Sequence, residues 1–168
     1  MVASALSFLA LPSMASYAAS KAGVEMLALA YRQEVAHLGI TVSLVHPSWI
    51  DTDLVRESEQ DLPSFKEAKS KLPWPLKSTT SVEACAKAIV DGFEARKARV
   101  FVPKAAVLAY LLRTVITSSV GERISSDDAE TNIPRMERDI EALGRSGSAR
   151  TTKINDLEST EAAEVAER

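Results

Sequence analysis

The stretch Tyr17-Ala18-Ala19-Ser20-Lys21 carries the clearest structural and chemical signal in the chain. Tyr17 and Lys21 are four residues apart, so a helix places their side chains on one face, one turn from each other. An ammonium group held near a phenol favours the phenolate and lowers the pKa of the phenol from about 10. Such a tyrosine can exchange a proton near neutral pH, and its small neighbours leave room for a second molecule to approach.

Working outward, the elements on either side of this stretch alternate between helix and strand. Residues 2–11 predict a short buried strand end followed by a loop, and residues 16–38 predict a long helix stopped by Gly39. Residues 41–45 and 99–102 are short β-rich runs, and Thr80-Ser81-Val82-Glu83 reads as a capping box that opens a helix to about residue 95. This alternation predicts an α/β fold with a parallel sheet.

The predicted long helix carries an apolar stripe at helical spacing, which we expect to face the core. Its members are Val24, Leu27, Ala28, Tyr31, Val35 and Leu38.

Two further features lie at predicted strand ends. Ser4 stands thirteen residues before Tyr17, where its hydroxyl could meet a substrate oxygen beside the phenol. The run Pro47-Ser48-Trp49-Ile50-Asp51-Thr52 directly follows the strand at residues 41–45. Open α/β sheets bind ligands at the carboxyl ends of their strands, so both features predict a site there.

Taken together, these residues resemble the classical branch of the short-chain dehydrogenase/reductase family. The family pattern is a serine thirteen residues before Tyr-x-x-x-Lys, then a strand and Pro-Gly-x-(Ile/Val)-x-Thr. The positions of the pattern are filled here by Ser4, Tyr17, Lys21, Pro47, Ile50 and Thr52. The resemblance covers roughly residues 2–103 and implies the C-terminal part of a doubly wound, Rossmann-type parallel sheet.

The resemblance also implies roles for these residues. Tyr17 would exchange the proton with the substrate, Lys21 would hold the nicotinamide ribose and make Tyr17 easier to ionise, and Ser4 would hydrogen-bond the substrate oxygen. The backbone of Ile50 after Pro47, with the side chain of Thr52, would hold the nicotinamide carboxamide. The implied reaction is reversible hydride transfer between NAD or NADP and an alcohol or ketone.

The sequence departs from the family pattern in two respects. Ser48 stands where the family has glycine, which would strain the backbone if that position needs a positive φ. The six glycines form no glycine-rich turn of the kind that receives a pyrophosphate. By the resemblance, Met1 falls inside the fifth strand of the fold, so we expect the cofactor-binding half to be absent and this chain alone to have little activity.

Residues 47–80 are unusually apolar for a loop and contain four prolines. We predict a functional segment with one helical turn near residues 65–70. Its apolar side chains either pack beneath the segment or against a partner, or the segment forms a lid over a lipophilic substrate such as a sterol, retinoid or fatty alcohol.

The chain divides into three predicted parts. Residues 1–104 form the half-domain just described, and residues 105–144 form a helical extension with helices at 105–118 and 134–143, the second capped by Gly144. Residues 145–168 are polar and are expected to be a disordered tail. The helix at 105–118 either buries itself in the core or contacts a membrane surface or another subunit.

Composition excludes several classes of protein. A net charge of -3 without a basic stripe argues against nucleic-acid binding, and a single cysteine, Cys85, gives neither a disulfide nor metal-ligand spacing. No secretory signal or membrane-spanning stretch is evident, so a cytoplasmic location is expected. His46 is expected to be a structural histidine bonded to a backbone carbonyl, and Cys85 a core residue.

The sequence therefore predicts an oxidoreductase acting on an alcohol or ketone with NAD or NADP, and no metal. Resemblance alone implies a homo-oligomer formed through the helix that begins near Ser16. Two alternatives remain open. One is a non-catalytic remnant or dimerising partner, and the other is a lipid-surface module that uses residues 49–76 and 105–116.

Overall fold

The structure is a computed structural model that describes residues 1–144, so the predicted tail at residues 145–168 lies outside the described residues. In chain order the elements are α1 (Ala15–Glu34), β1 (Leu44–Pro47), β2 (Trp49–Ile50), α2 (Asp53–Asp61), α3 (Pro63–Lys71), β3 (Thr79–Thr80), α4 (Val82–Glu94), β4 (Arg99–Val102), α5 (Ala106–Leu111), α6 (Arg113–Ile116) and α7 (Ser119–Leu143). Short 3-10 helices at Ala5–Ser7 and Ala36–Leu38 flank α1.

A parallel sheet lies at the centre of the described chain. β1 pairs with β4 in parallel from Leu44 opposite Arg99 to Pro47 opposite Val102. On the other side of β1, Val2 forms a parallel bridge with Val45, and the Ala3 amide donates to the Val45 carbonyl at 2.9 Å. β2 and β3 form a second, two-residue parallel pair beside it. The α/β class with parallel strands is confirmed.

Helices cover both faces of this sheet because successive strand residues point to opposite sides. Leu44 packs with Ala28 of α1 and with Val35, the residue that follows this helix, on one face. On the other face, Val45 packs with Cys85 of α4 and with Val100. This two-sided covering confirms the doubly wound arrangement, and it places Cys85 in the core, as predicted.

The predicted apolar stripe of α1 is wrong in part. Ala28 and Val35 are buried, but Leu27 is 58% and Leu38 61% exposed, and Tyr31 is also exposed. The buried face is rotated toward polar side chains that find partners on the sheet. Glu25 is buried, and Arg32 donates to the Val42 carbonyl at 3.0 Å. Tertiary hydrogen bonding therefore sets the orientation of the helix, which hydrophobic periodicity alone did not predict.

Residues 47–80 contain more structure than the single helical turn that was predicted. Two nine-residue helices, α2 and α3, lie between β2 and β3. Pro63 occupies the first turn of α3, where its missing N–H costs nothing because that group has no partner inside a helix. The many prolines therefore mark element starts and ends here, and they do not indicate an irregular loop.

The cap of α4 is one-sided. The Ser81 hydroxyl accepts from the Ala84 amide at 3.2 Å, which makes Ser81 the N-cap. The residue at the third helical position is thus Ala84, so the reciprocal glutamate bond of a capping box cannot form. The predicted helix is confirmed, but the predicted box was one residue out of register.

The helical extension differs from prediction at its helix boundaries. The expected helix at 105–118 is divided into α5 and α6 at Leu112. The helix predicted from Pro134 onward is the last part of α7, which begins at Ser119 and holds Pro134 in its interior. Proline removes one hydrogen bond, but it did not end this helix. Gly144 caps it in the left-handed conformation, as predicted.

Candidate active site

All six residues singled out from the sequence line one cleft. The cleft has a volume of about 390 Å³ and lies at the carboxyl end of β1, between the segment that follows Val2 and helix α2. The sequence-predicted residues on its wall are Ser4, Tyr17, Lys21, Pro47, Ile50 and Thr52. The structure thus brings together groups that lie up to 48 positions apart in the chain.

Ser4 is held at the start of the 3-10 helix Ala5–Ser7. Its backbone is extended, and its hydroxyl accepts from the Leu6 amide at 3.2 Å, which caps that helix. A hydroxyl has one O–H donor and two lone pairs. Because the capping bond uses one lone pair only, the Ser4 O–H remains able to donate to an oxygen placed in the cleft.

Tyr17 and Lys21 lie one turn apart on α1, as their spacing predicted. The Lys21 ammonium lies 5.6 Å from the centre of the Tyr17 ring and donates a long hydrogen bond, 3.5 Å, to the Val2 carbonyl. Tyr17 is 41% exposed, so its phenol is open to the cleft and not buried in the core. The ammonium is therefore positioned to act electrostatically on the phenol.

The segment Pro47–Thr52 carries the third side of the cleft. The Ser48 amide donates to the Val102 carbonyl at 2.7 Å. The φ angle of Ser48 is not in the positive range. Serine in place of the family glycine is therefore unstrained here. Thr52 is the N-cap residue of α2 but forms no side-chain capping bond, so capping does not occupy its hydroxyl.

The outer wall of the cleft is apolar. Trp49 on β2, Leu54 and Val55 on α2, and Leu72 and Leu76 after α3 all line it. The bidentate contact of the Arg56 guanidinium with Asp51, at 2.8 and 3.0 Å, ties the start of α2 to the strand end. It also holds the pKa of the Asp51 carboxyl below its usual value.

Behind the cleft lies a buried polar network that links α1 to the strand ends. The Ser7 hydroxyl donates to the Glu25 carboxylate at 2.5 Å and lies 3.2 Å from His46 Nδ1. His46 Nδ1 is also 3.4 Å from the Ser4 carbonyl oxygen. The expected bond of His46 to a backbone carbonyl is confirmed, and it connects directly to the candidate catalytic serine.

Burial lowers the pKa of the His46 imidazole below 6.5, and the nearby Glu25 carboxylate offsets this only in part. Because the Ser7 hydroxyl is donated to Glu25, His46 Nδ1 must be the nitrogen that carries the proton. The other ring nitrogen, Nε2, is buried and has no hydrogen-bond partner among the described residues. A neutral imidazole suits this environment.

Sequence reasoning missed several groups near the cleft. Glu25 lies four residues after Lys21, so the helical period could have revealed it as a carboxylate on the same face. Asn132, near the apolar cleft beside the site, fell outside the predicted helix at 134–143 because Pro134 was taken as its start. Lys69 contacts Glu59 and Thr79, pairings that no local pattern indicates.

Two features are absent from the part of the chain that the structure describes. Among the side chains that the structure describes, no group of three or more histidine, cysteine, aspartate or glutamate residues could hold a metal ion. Within the same part of the chain, no helix has both the length and the apolar character needed to cross a bilayer.

Comparison with known proteins identifies a family to which the first part of the chain is similar. Residues 1–63 match the family model described as short chain dehydrogenase. This stretch of the chain includes Ser4, the pair Tyr17 and Lys21, and Thr52. Over residues 1–63 the chain is therefore similar to the short-chain dehydrogenase family. This match agrees with the parallel α/β fold.

Two curated fungal relatives share part of this region. The chain is 35% identical over 89 residues to the short-chain dehydrogenase srdC of Neurospora crassa, covering 53% of this chain and 32% of that protein. It is 37% identical over 67 residues to the short-chain dehydrogenase RED2 of Pyricularia oryzae, covering 40% of this chain and 24% of that protein. The matches thus span about a third or less of these short-chain dehydrogenases.

Proposed function

We propose that this short-chain dehydrogenase chain carries the catalytic half of an NAD(P)-dependent oxidoreductase acting on an alcohol or ketone. The observation that carries the proposal is the convergence of Ser4, Tyr17 and Lys21 on one cleft at the carboxyl end of a parallel sheet. This is where open α/β sheets place their ligands.

The residues present suit the nicotinamide end of the cofactor. The Thr52 hydroxyl is not used as a helix cap, and the unstrained backbone at Ser48 leaves the segment from Pro47 to Ile50 on the cleft wall. Lys21 would hold the ribose, and Ile50 with Thr52 the carboxamide. When bound, NAD(P) would supply or accept the hydride. No glycine-rich turn for the pyrophosphate occurs within the 168 residues.

The residues of the chain divide the remaining work. The Ser4 O–H donates to the substrate oxygen and holds it beside the phenol. Tyr17 gives its proton to that oxygen in the reductive direction and takes it back in the oxidative direction. The Lys21 ammonium, 5.6 Å from the phenol ring, stabilises the phenolate while the proton is away. The apolar wall at Trp49 and Leu72 keeps water from competing.

The same apolar wall supports a lipophilic substrate. Except for the candidate catalytic residues, Ser48 and Thr52, the cleft is lined by apolar side chains. Such walls bind apolar bodies through the hydrophobic effect and leave orientation to a few polar groups. We therefore assign α2 and the segment after α3 as the cover of a cleft for a fatty or cyclic alcohol or ketone.

The test uses the protein expressed from its complete reading frame, with NAD and NADP each tried against a panel of fatty and cyclic alcohols. Tyr17→Phe is expected to lower kcat/KM by at least about a hundredfold, because general acid–base catalysis contributes that much or more. His37→Gln is the control. It changes an exposed side chain in the 3-10 helix that follows α1 and should leave the rate unchanged.

Two outcomes would count against the proposal. One is that neither cofactor supports oxidation of any alcohol in the panel, and the other is that Tyr17→Phe keeps the wild-type rate. In either case the non-catalytic, dimerising alternative would be the better account. We expect the 168-residue chain to bind NAD and NADP weakly, because its sequence contains no glycine-rich turn for the pyrophosphate.

A second candidate, contact with a membrane surface, is favoured by one observation. The outward face of α5 and α6 exposes five large apolar side chains and is flanked by Lys104 and Arg113. They are Leu108, Leu111, Leu112, Val115 and Ile116. Co-sedimentation with anionic vesicles, lost on Leu111→Glu, would support this contact. No sedimentation with anionic or neutral vesicles would remove it.

A further inference from the structure

A second apolar cleft adjoins the candidate active site. It has a volume of about 130 Å³ and lies between α3, α7 and the loop before α1. Leu11, Met14, Trp49 and Leu72 line both clefts, so the two form neighbouring compartments of one larger hollow. Its remaining walls are almost entirely hydrocarbon. They include Phe65, Ala68, Ala129, Ile133 and Met136.

One uncharged polar side chain interrupts this apolar lining. Asn132 on α7 is 8% exposed, and its Oδ1 atom has no hydrogen-bond partner among the described residues. A buried amide without a partner is costly, and native proteins rarely leave one so. This pairing of an apolar hollow with one free amide is the arrangement by which ligand sites fix the orientation of a bound molecule.

The cationic groups of the same cleft are already engaged. Lys69 is bound by the Glu59 carboxylate and donates to the Thr79 hydroxyl at 2.8 Å. Lys71 pairs with Glu67 at 3.1 Å. Because both ammonium groups are neutralised, the cleft does not favour an anionic ligand, and Asn132 is the group that offers recognition.

We propose that this cleft is a distal substrate subsite, in which the Asn132 amide binds a neutral polar group at the far end of an elongated apolar substrate. The inference rests on the proposed function, since it takes the reacting end to lie at Ser4 and Tyr17. The apolar body would cross Trp49 and Leu72, which both compartments share. A hydroxyl suits the amide in either of its two orientations, because it both donates and accepts.

The test measures binding by tryptophan fluorescence, independently of turnover. Trp49 lines both clefts, and Trp74, which lines neither, is replaced by Trp74→Phe to remove its signal. The probes are α,ω-diols and 1-alkanols of matched chain length. We expect the best diol to bind about tenfold more tightly than its matched alkanol. Asn132→Leu should abolish that preference and leave alkanol affinity near its wild-type value.

Glu137→Leu, an exposed change on the same helix outside the cleft, is the matched control and should keep the preference. The proposal is overturned if the Trp74→Phe protein shows no preference for any diol, or if Asn132→Leu retains it. The first comparison needs no substitution at Asn132, so misfolding of that variant cannot obscure the result. Tyr17→Phe separates the two proposals. It should lose turnover and keep the diol preference, whereas retained turnover would count against the proposed function alone.

Discussion

At the scale of single residues, the buried His46 joins the candidate site to the core. Its ring stacks on Phe101 with centroids 5.0 Å apart and meets Phe8 edge to face at 5.4 Å. Nδ1 faces Ser7 and the Ser4 carbonyl, so the imidazole positions the segment that carries the candidate catalytic serine. An aromatic enclosure of this kind disfavours the charged imidazolium.

His46 should make stability depend on pH. Its pKa is lowered in the folded state, so below about pH 6.5 the unfolded chain takes up a proton that the folded chain resists. The free energy of unfolding should therefore fall as pH is lowered from about 7 to about 5. When the free energy of unfolding is measured with urea at several pH values in that range, it should change less with pH in His46→Gln than in the wild-type protein. In the control variant His37→Gln it should change with pH as in the wild-type protein.

Three carboxyl groups with a lowered pKa do not contribute to the change in the free energy of unfolding between about pH 7 and pH 5. Asp51, Glu67 and Asp139 have a lowered pKa through contacts with Arg56, Lys71 and Ser64 respectively. Their stabilisation is complete above an ordinary carboxyl pKa of about 4 and is lost only at lower pH. If the free energy of unfolding of His46→Gln changed between about pH 7 and pH 5 as much as that of the wild-type protein, His46 would not be the source of the pH dependence.

At the scale of elements, the contact of α4 with β4 depends on a glycine. A Cβ atom built at Gly92 would come within 2.3 Å of Val100 Cγ2, so the helix and the strand approach more closely than an alanine would allow. Gly23 on α1 has nothing within 4 Å of the corresponding position. The two glycines lie in helix interiors and differ in what surrounds them.

Alanine substitutions at these glycines should therefore have opposite effects. Gly92→Ala is expected to lower the free energy of unfolding by up to about 2 kcal/mol, because overpacking costs about 1–3 kcal/mol and the gain in helix propensity returns about 1 kcal/mol. Gly23→Ala should raise it by up to about 1 kcal/mol. Denaturant unfolding of both variants checks this, and stabilisation by Gly92→Ala would refute the close packing.

At the scale of the whole molecule, helix α1 and the residues that follow it carry large exposed apolar side chains. Met26, Leu27 and Tyr31 on the helix, with Leu38 and Ile40 after it, are all more than two-fifths exposed. An apolar patch of this kind commonly marks a contact with another protein surface. We propose that the chain self-associates through this face of α1, in agreement with the oligomer expected from the family resemblance.

Charge placed on this face should weaken the association. Leu27→Glu removes an apolar contact of about 1.5–3 kcal/mol and adds a carboxylate, so the dissociation constant should rise at least about tenfold. Sedimentation velocity over a range of concentrations measures it. Leu111→Glu on α5 is the control, because it changes an equally exposed leucine elsewhere. A monomeric wild-type protein, or an equal effect of both changes, would contradict the proposal.

Much of the candidate site was predictable because its signals are local. The spacing of Tyr17 and Lys21 in one helix fixes their common face, and Thr52 follows a strand by a short segment. The strand at 99–102 and the Gly144 cap were predicted for the same reason, since both depend on a few neighbouring residues. Helix orientation was not, because the buried face of α1 depends on partners such as Val42 and Ala98 that lie elsewhere in the chain.

The sequence by itself determined the alternation of helix and strand and the identity of the groups at the cleft. These follow from periodicity and spacing, which act over short stretches of chain. Only the tertiary structure decided that Glu25 and His46 meet behind Ser4, that α3 and α7 enclose a second cleft, and that Leu27 faces outward. Each of these depends on surfaces from distant segments coming together, and burial and hydrogen bonding are properties of that assembled surface.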